Sequence, residues 1–390
     1  MPKTALPRTV WTLGLVSLLM DTSSEMIHAL LPVFLVSQMG AGMLTVGVIE
    51  GIAEATAAIS KVFSGVLSDR VGRRKPLVLL GYGLAAATKP MFALAPTIAW
   101  IVGARFADRV GKGIRGAPRD ALVVDVTPRE QLGAAFGLRQ GLDTVGAFAG
   151  PLIALALMAA TGGDFRAVFW AASIPAVLAV AVIVVLVREP EHHMASPRRP
   201  GLSRADLARF PRSYWVTVAI TVVMTLARFS EGFLLLRAQG LGLAATLVPL
   251  VLVGMNVVYA ASAYPVGLLS DRLGRRGLLL AGFAVLVAAD LALARAQGMG
   301  AVAVGVGLWG LHMGMTQGLL SSLVADASPP DLRGTAFGVF HLASGAALLV
   351  ASVIAGALWS ALGPAATFEA GAAFSAVAVA ALAWHGWRGP

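Results

Sequence analysis

Polar residues in this chain come in short bursts between long apolar runs, and that alternation leaves few folds open. Twelve such runs follow one another, at about residues 11–37, 43–68, 76–95, 97–125, 133–158, 165–187, 213–238, 243–270, 277–296, 299–325, 334–358 and 364–386. A helix needs about 20 apolar residues to cross the hydrocarbon layer of a bilayer. In lipid every backbone N–H and C=O must be satisfied internally, which an uninterrupted helix does. The runs therefore predict an all-α membrane protein of twelve transmembrane helices. Of the 390 residues, 57% are hydrophobic and 13% charged, more apolar surface than a soluble domain of this size hides. The first run is too long for a signal peptide and has no small-residue cleavage pattern after it, so it is expected to stay as the first span.

The net charge of +10 raises the question of nucleic acid. The cations, however, gather in short connections: Arg70 to Lys75, Arg115 to Arg129, Arg188 to Arg212, Arg272 to Arg276, and Arg333. Intervening connections are nearly charge-free, so no soluble basic face is left for a nucleic acid. Such asymmetry marks the cytoplasmic side of a membrane protein, and it predicts both termini there. Cysteine is absent, which excludes disulfides and thiolate metal sites. The one long hydrophilic segment, 188–212, carries Pro190, Pro197, Pro200 and Pro211 and reads as a linker between an N-terminal bundle of six spans, 1–187, and a C-terminal one, 213–390.

The two halves repeat each other. Gly65-Val-Leu-Ser-Asp69-Arg70-Val-Gly72-Arg73-Arg74 returns as Gly267-Leu-Leu-Ser-Asp271-Arg272-Leu-Gly274-Arg275-Arg276, 202 residues later. Val123-Val-Asp125-Val-Thr-Pro128 and the following Ala135-Phe136-Gly137 return as Val324-Ala-Asp326-Ala-Ser-Pro329 and Ala336-Phe337-Gly338, at an offset of 201. Gly-x-x-x-Asp-Arg-x-Gly-Arg-Arg resembles the signature loop of the major facilitator superfamily, between its helices two and three, with a second copy between helices eight and nine. The resemblance covers the whole chain. It implies two pseudo-symmetric six-helix bundles that rock about a substrate site near the bilayer midplane, with the two loops gating the cytoplasmic side.

Ionisable residues inside the spans are the candidate site. An ionised group at mid-membrane costs about 3 kcal/mol or more, so it needs a partner, a water-filled cavity or a proton. Asp21, Glu25 and His28 stand one turn apart on a single face of the first span. Glu50, Glu54 and Lys61 share a face of the second, where Glu54 is at the depth to pair with Lys89 of the third. The fourth span carries Arg105, Asp108, Arg109 and Lys112; Arg105 followed by Gly111 and Gly113 resembles the family's helix-four motif, whose arginine is linked to proton coupling. In the fifth, Arg139 and Asp143 are an i, i+4 pair able to satisfy each other. Gly137, Gly146 and Gly150-Pro151 there resemble the motif of drug–proton antiporters, although Ala154 and Leu155 replace its closing glycines. The second half offers Arg228 and Glu231 in span seven, Asn256 and Tyr259 in span eight, His312 and Gln317 in span ten. Asp290 in span nine stands at the repeat position of Lys89, and both are read as structural.

No His-Glu-x-x-His, Gly-x-Ser-x-Gly or phosphate-binding loop is present, so neither an enzyme nor a nucleotide-driven pump is indicated. The expectation is a monomeric, multi-pass transporter of the bacterial inner membrane that needs no cofactor. Its partners are lipid, protons and a small, charged or zwitterionic substrate, exported on the proton gradient. Two alternatives stand beside it: a proton-coupled importer of a small metabolite, and an exporter of a divalent metal held by Asp21, Glu25, His28 and His341, which are acceptable oxygen and nitrogen ligands.

Overall fold

A computed structural model describes residues 6–71, 73–128, 131–187, 207–273, 275–327 and 333–384. Among them the chain is helical and holds no strand. In order the helices are α1 (Arg8–His28), α2 (Leu31–Ser37), α3 (Met43–Val71), α4 (Lys75–Leu94), α5 (Ile98–Val126), α6 (Leu132–Ala160) and α7 (Phe165–Leu186). After the linker come α8 (Arg212–Leu226), α9 (Gly232–Gly240), α10 (Pro249–Leu273), α11 (Arg275–Ala294), α12 (Met299–Asp326), α13 (Arg333–Leu362) and α14 (Pro364–Trp384). By length and hydropathy, nine helical segments of the described residues are able to cross a membrane. The helix Ile98–Val126 carries too many charges for that measure, and Arg212–Leu226 and Pro364–Ala380 are shorter apolar helices.

Spans one and seven are each broken into two helices, which their apolar composition did not announce. The first break falls between His28 and Leu31, just before Pro32, which has no N–H to continue a helical ladder. At the second, the Ser230 N–H donates to Ser352 Oγ of α13 at 3.2 Å instead of to its own helix. The two breaks lie one repeat apart.

The chain divides into two compact units, Met1–Leu31 with Thr56–Gly201, and Pro32–Ala55 with Leu202–Pro390. Residues Pro32–Ala55 thus belong by contact with the second unit, although by repeat they belong with the first half. Glycine is the reason. Gly47 and Gly51, one turn apart on α3, let that helix meet the α13 backbone at the Ser352 carbonyl and at Leu349, whose Cα would stand 2.9 Å from a Cβ on Gly51. Gly356 of α13 meets the Met43 carbonyl in the same way, and the Leu44 N–H reaches Ser360 Oγ at 3.2 Å.

Inside the first unit, α1 packs on α6 and α7, and α4 on α5 and α7. Its apolar core runs through Leu13, Met20, Tyr82, Leu122 and Ile183. The second unit repeats these crossings residue for residue. Gly81 of α4 meets Arg115 of α5, and Gly282 of α11 meets Thr316 of α12; Gly113 of α5 meets Ser60 and Ala57 of α3, and Gly314 of α12 meets Ser262 and Tyr259 of α10. Helix ends are tied alike by different helices. Arg166 donates to the carbonyls of Ala93 and Ala95 at 2.9 and 2.8 Å, while Arg237 donates to those of Leu293 and Ala296 at 3.0 and 2.8 Å. A cation at a helix C-terminus satisfies orphan carbonyls and opposes the dipole.

The linker residues 188–206 lie outside the described residues. So do Gly72, Gly274 and the side chains of Asp69, Arg70, Asp271, Arg272, Arg275 and Arg276, with the positions of Gly65, Gly267, Gly137 and Gln317 likewise not described in detail. Of the first signature loop, Arg73 is exposed and Arg74 points its Nε to Asp125 at the end of α5, 3.4 Å away.

Candidate functional site

One face of α1 and one face of α5 hold most of the ionisable side chains of the first unit. Arg105, Asp108, Arg109, Lys112, Arg115 and Arg119 recur every three or four residues, so α5 presents a continuous polar stripe. Arg105, Asp108, Arg109 and Arg115 are buried. Facing them, α1 contributes Ser17, Asp21, Ser24, Glu25 and His28.

Asp21 lies 3.7 Å from Arg115 Nη2, and that guanidinium stacks 4.5 Å from the centre of the Tyr82 ring. Glu25 Oε2 and His28 Nδ1 are hydrogen-bonded at 3.1 Å. Deeper in the unit, the Lys89 ammonium donates to Asp108 Oδ1 at 2.8 Å and to Ser24 Oγ at 3.0 Å, with Arg109 Nε at 3.6 Å from the other carboxylate oxygen. The structural alternative weighed for Lys89, an ion pair with a carboxylate, is made here with Asp108 across the α4–α5 contact. Towards the other end, Arg119 donates to Ser17 Oγ at 2.9 Å and to Asp120 Oδ1 at 3.1 Å. Arg139 donates to Asp143 Oδ2 at 2.7 Å and approaches Asp120 at 3.7 Å, so the i, i+4 pair of α6 does form.

The glycines of α6 set the position of the acidic face of α1. A Cβ at Gly146 would stand 2.6 Å from the Leu18 carbonyl and 3.2 Å from Asp21 Cβ. At Gly150 it would stand 2.6 Å from Glu25 Cβ and 2.8 Å from the Thr22 carbonyl. Only glycine allows this backbone approach, and Pro151 follows within the helix.

In the second unit Arg228 and Glu231 lie near enough to Tyr259 to act on it electrostatically, as Arg228 does on His312. Arg228 and Glu231 lie within the α8–α9 break. Glu50 is buried and accepts from Ser230 Oγ at 3.4 Å, while Glu54 is half-buried further along α3. Asn256 and Tyr259 are half-buried on α10. His312 is engaged in packing: its Nδ1 bonds the Gly282 carbonyl at 2.8 Å and its ring lies 4.9 Å from Phe283. His341 packs on Phe340 at 5.3 Å. No group of three or more histidine or carboxylate side chains able to hold a metal forms among the described residues.

Sequence reasoning singled out Asp21 without its partner Arg115, and named Asp108, Lys89 and Arg109 without joining them. In the sequence Arg115 and Arg119 read as charge of a connection, and Tyr82 carries no signal of its own. The signal for the two arginines was available in the helical spacing of the α5 arginines, which runs past the point where the polar loop was taken to begin.

A helical membrane fold built from two repeats, with an ion-paired network buried among its spans, is the arrangement of a membrane transporter. The chain belongs to the Major Facilitator Superfamily, whose sequence profile matches residues 13–236 and 213–390. An MFS-type transporter of Methanocaldococcus jannaschii is 32% identical over 381 residues, spanning 95% of this chain and 93% of the relative. The inner membrane transport protein YajR of Escherichia coli is 26% identical over 383 residues, 95% of this chain and 81% of YajR. The multidrug resistance protein MdtH of Edwardsiella ictaluri is 32% identical over 176 residues, 45% of this chain and 42% of MdtH. Among solved structures, the nucleoside transporter NupG superposes with a TM-score of 0.77 at 11% identity, covering 97% of this chain and all of NupG. A POT family transporter superposes with a TM-score of 0.79 at 14% identity, covering 97% and 96%. At those identities the structures speak for the fold alone. The protein is a multi-pass membrane transporter of a small molecule.

Proposed function

We propose that this transporter couples export of a small charged or zwitterionic molecule to proton entry, by alternating access of its two halves across a bacterial inner membrane. The observation that carries the reading is the α1 face. Asp21 and Glu25 are held against α6 at backbone contact by Gly146 and Gly150, inside a bundle, and each has a titratable or cationic neighbour one side chain away. An ionised carboxylate at this depth needs a counter-ion, a proton or a cationic group of the substrate. Competition for that site exchanges one for the other. Sequence likeness to MdtH, a multidrug resistance protein, supports export, and YajR supports placement in the inner membrane. In this reading the transporter works as a monomer and without a cofactor, the proton gradient being its energy source.

The test is transport by purified protein in liposomes. Asp21→Asn and Glu25→Gln keep shape and remove charge. At least one should abolish gradient-driven uphill transport while exchange of labelled for unlabelled substrate continues within about tenfold. Full gradient-driven transport in both variants removes α1 from the coupling step and moves it to Asp108 or Glu231.

A further inference from the structure

The second unit buries a carboxyl group that the α1–α5 network does not use. Asp290 lies on α11 with no solvent exposure, and neither of its carboxylate oxygens has a hydrogen-bond partner among the described residues. Its counterpart 201 residues earlier is Lys89, which is fully engaged with Asp108 and Ser24. At the repeat position of Asp108 the second unit places Trp309, whose indole Nε1 is also buried without a partner. The ion pair of one unit thus corresponds to an acid facing aromatic surroundings in the other.

Those surroundings are specific. A Cβ on Gly371 of α14 would stand 2.6 Å from Asp290 Oδ2 and 3.1 Å from Phe229 Cε1, so acid and ring meet at the same point. Phe229 belongs to the break between α8 and α9, and its ring lies 5.3 Å from Trp309, 5.6 Å from Phe233 and 5.4 Å from Phe368. Ser375 Oγ on α14 is a further buried, unpartnered polar atom.

Helices α10, α12 and α14 pack on α11. His312 bonds the Gly282 carbonyl, two turns from Asp290, and Glu369 is exposed. Arg237 of α9 caps α11 at Leu293, Ala294 and Ala296. Arg228 and Glu231 flank Phe229 in the break, Tyr259 stands on α10, and none of these donates to Asp290. Arg275 and Arg276 begin α11 about 20 Å away at about 1.5 Å per residue. An unpaired carboxylate in so apolar a place is far less stable than the neutral acid.

We propose that Asp290 is a proton-binding site of the second unit, covered by Phe229. While the ring covers it the group is a carboxylic acid. When the α8–α9 break rearranges and water enters, the O–H bond breaks, its electron pair stays on the carboxylate, and the proton passes to water. This site does not depend on coupling at Asp21 and Glu25.

The experiment is infrared difference spectroscopy of the full-length protein in lipid, stepped from about pH 5 to about pH 9 in light and heavy water. Wild type should show the C=O band of a protonated, deuterium-sensitive carboxyl group that fades as pH rises. Asp290→Asn should lack that band, and Asp290→Glu, which keeps the acid if the asparagine variant fails to fold, should move it. Phe229→Ala admits water and should raise the proton dissociation constant about tenfold or more, shifting the midpoint down by about one pH unit. Identical spectra for wild type, Asp290→Asn and Asp290→Glu overturn the proposal, as does a band that no pH in the range and no change at Phe229 alters. A titrating band without gradient-driven transport would retain this site and remove the proposed coupling; the reverse result would do the opposite.

Discussion

At the scale of single residues, the pair Lys89–Asp108 shows how this chain tolerates charge inside a membrane bundle. The two groups are almost fully buried and joined at 2.8 Å, with Ser24 and Arg109 completing the shell. A buried pair of this kind adds little net stability over apolar residues of equal volume, but losing one member strands the other. Asp108→Asn and Lys89→Met should each lower unfolding free energy by about 3–5 kcal/mol. The double variant should recover a good part of that loss, because no lone charge is left. Chemical unfolding of the four proteins in one detergent measures the cycle. Additive losses would show that the pair is not coupled and that Arg109 alone holds the carboxylate.

Among elements, the crossing of α3 with α13 joins the two sequence halves, so its contacts part if the halves rock. Gly47, Gly51 and Gly356 bring two backbones together, and the Leu44 N–H closes on Ser360 Oγ. Nothing larger than hydrogen fits at Gly356 beside the Met43 carbonyl, 2.6 Å from where a Cβ would be. Gly356→Leu should therefore hold α3 and α13 apart by several ångströms and cut turnover at least about tenfold. The chain has no cysteine, so spin labels on introduced cysteines near Met43 and Leu362 report that distance without background. An unchanged distance with normal transport would mean that the crossing is not a gate. The breaks in spans one and seven belong to the same scale: both flank this crossing, at Pro32 and at Ser230, where local helix hydrogen bonds give way to tertiary ones.

For the whole molecule, the direction of transport follows from which gradient does work. One pH unit is worth about 1.4 kcal/mol per proton, or a tenfold substrate gradient at one proton per cycle. An outside-acid gradient should drive labelled substrate out of right-side-out vesicles, and its collapse by a protonophore should raise accumulation to the level of cells lacking the protein. Cells without the protein that accumulate less substrate than wild type would identify an importer.

How much of this was legible in the sequence differs by level. Apolar runs of bilayer length and two in-register repeats determine helical spans and a duplicated architecture, because lipid leaves the backbone no other way to satisfy itself. The same spacing placed Arg139 beside Asp143, since an i, i+4 contact is set by the helix alone. Contacts between helices were decided elsewhere. Lys89 met Asp108, Arg115 reached Asp21 across the α1–α5 contact, and the helix beginning at Met43 joined the second unit through three glycines. The sequence shows Asp290 only as an acid in an apolar span; the rings and the glycine around it come from the tertiary structure. Which face of a helix meets which neighbour depends on rotations and crossings that all the helices settle together, and a linear pattern does not contain them.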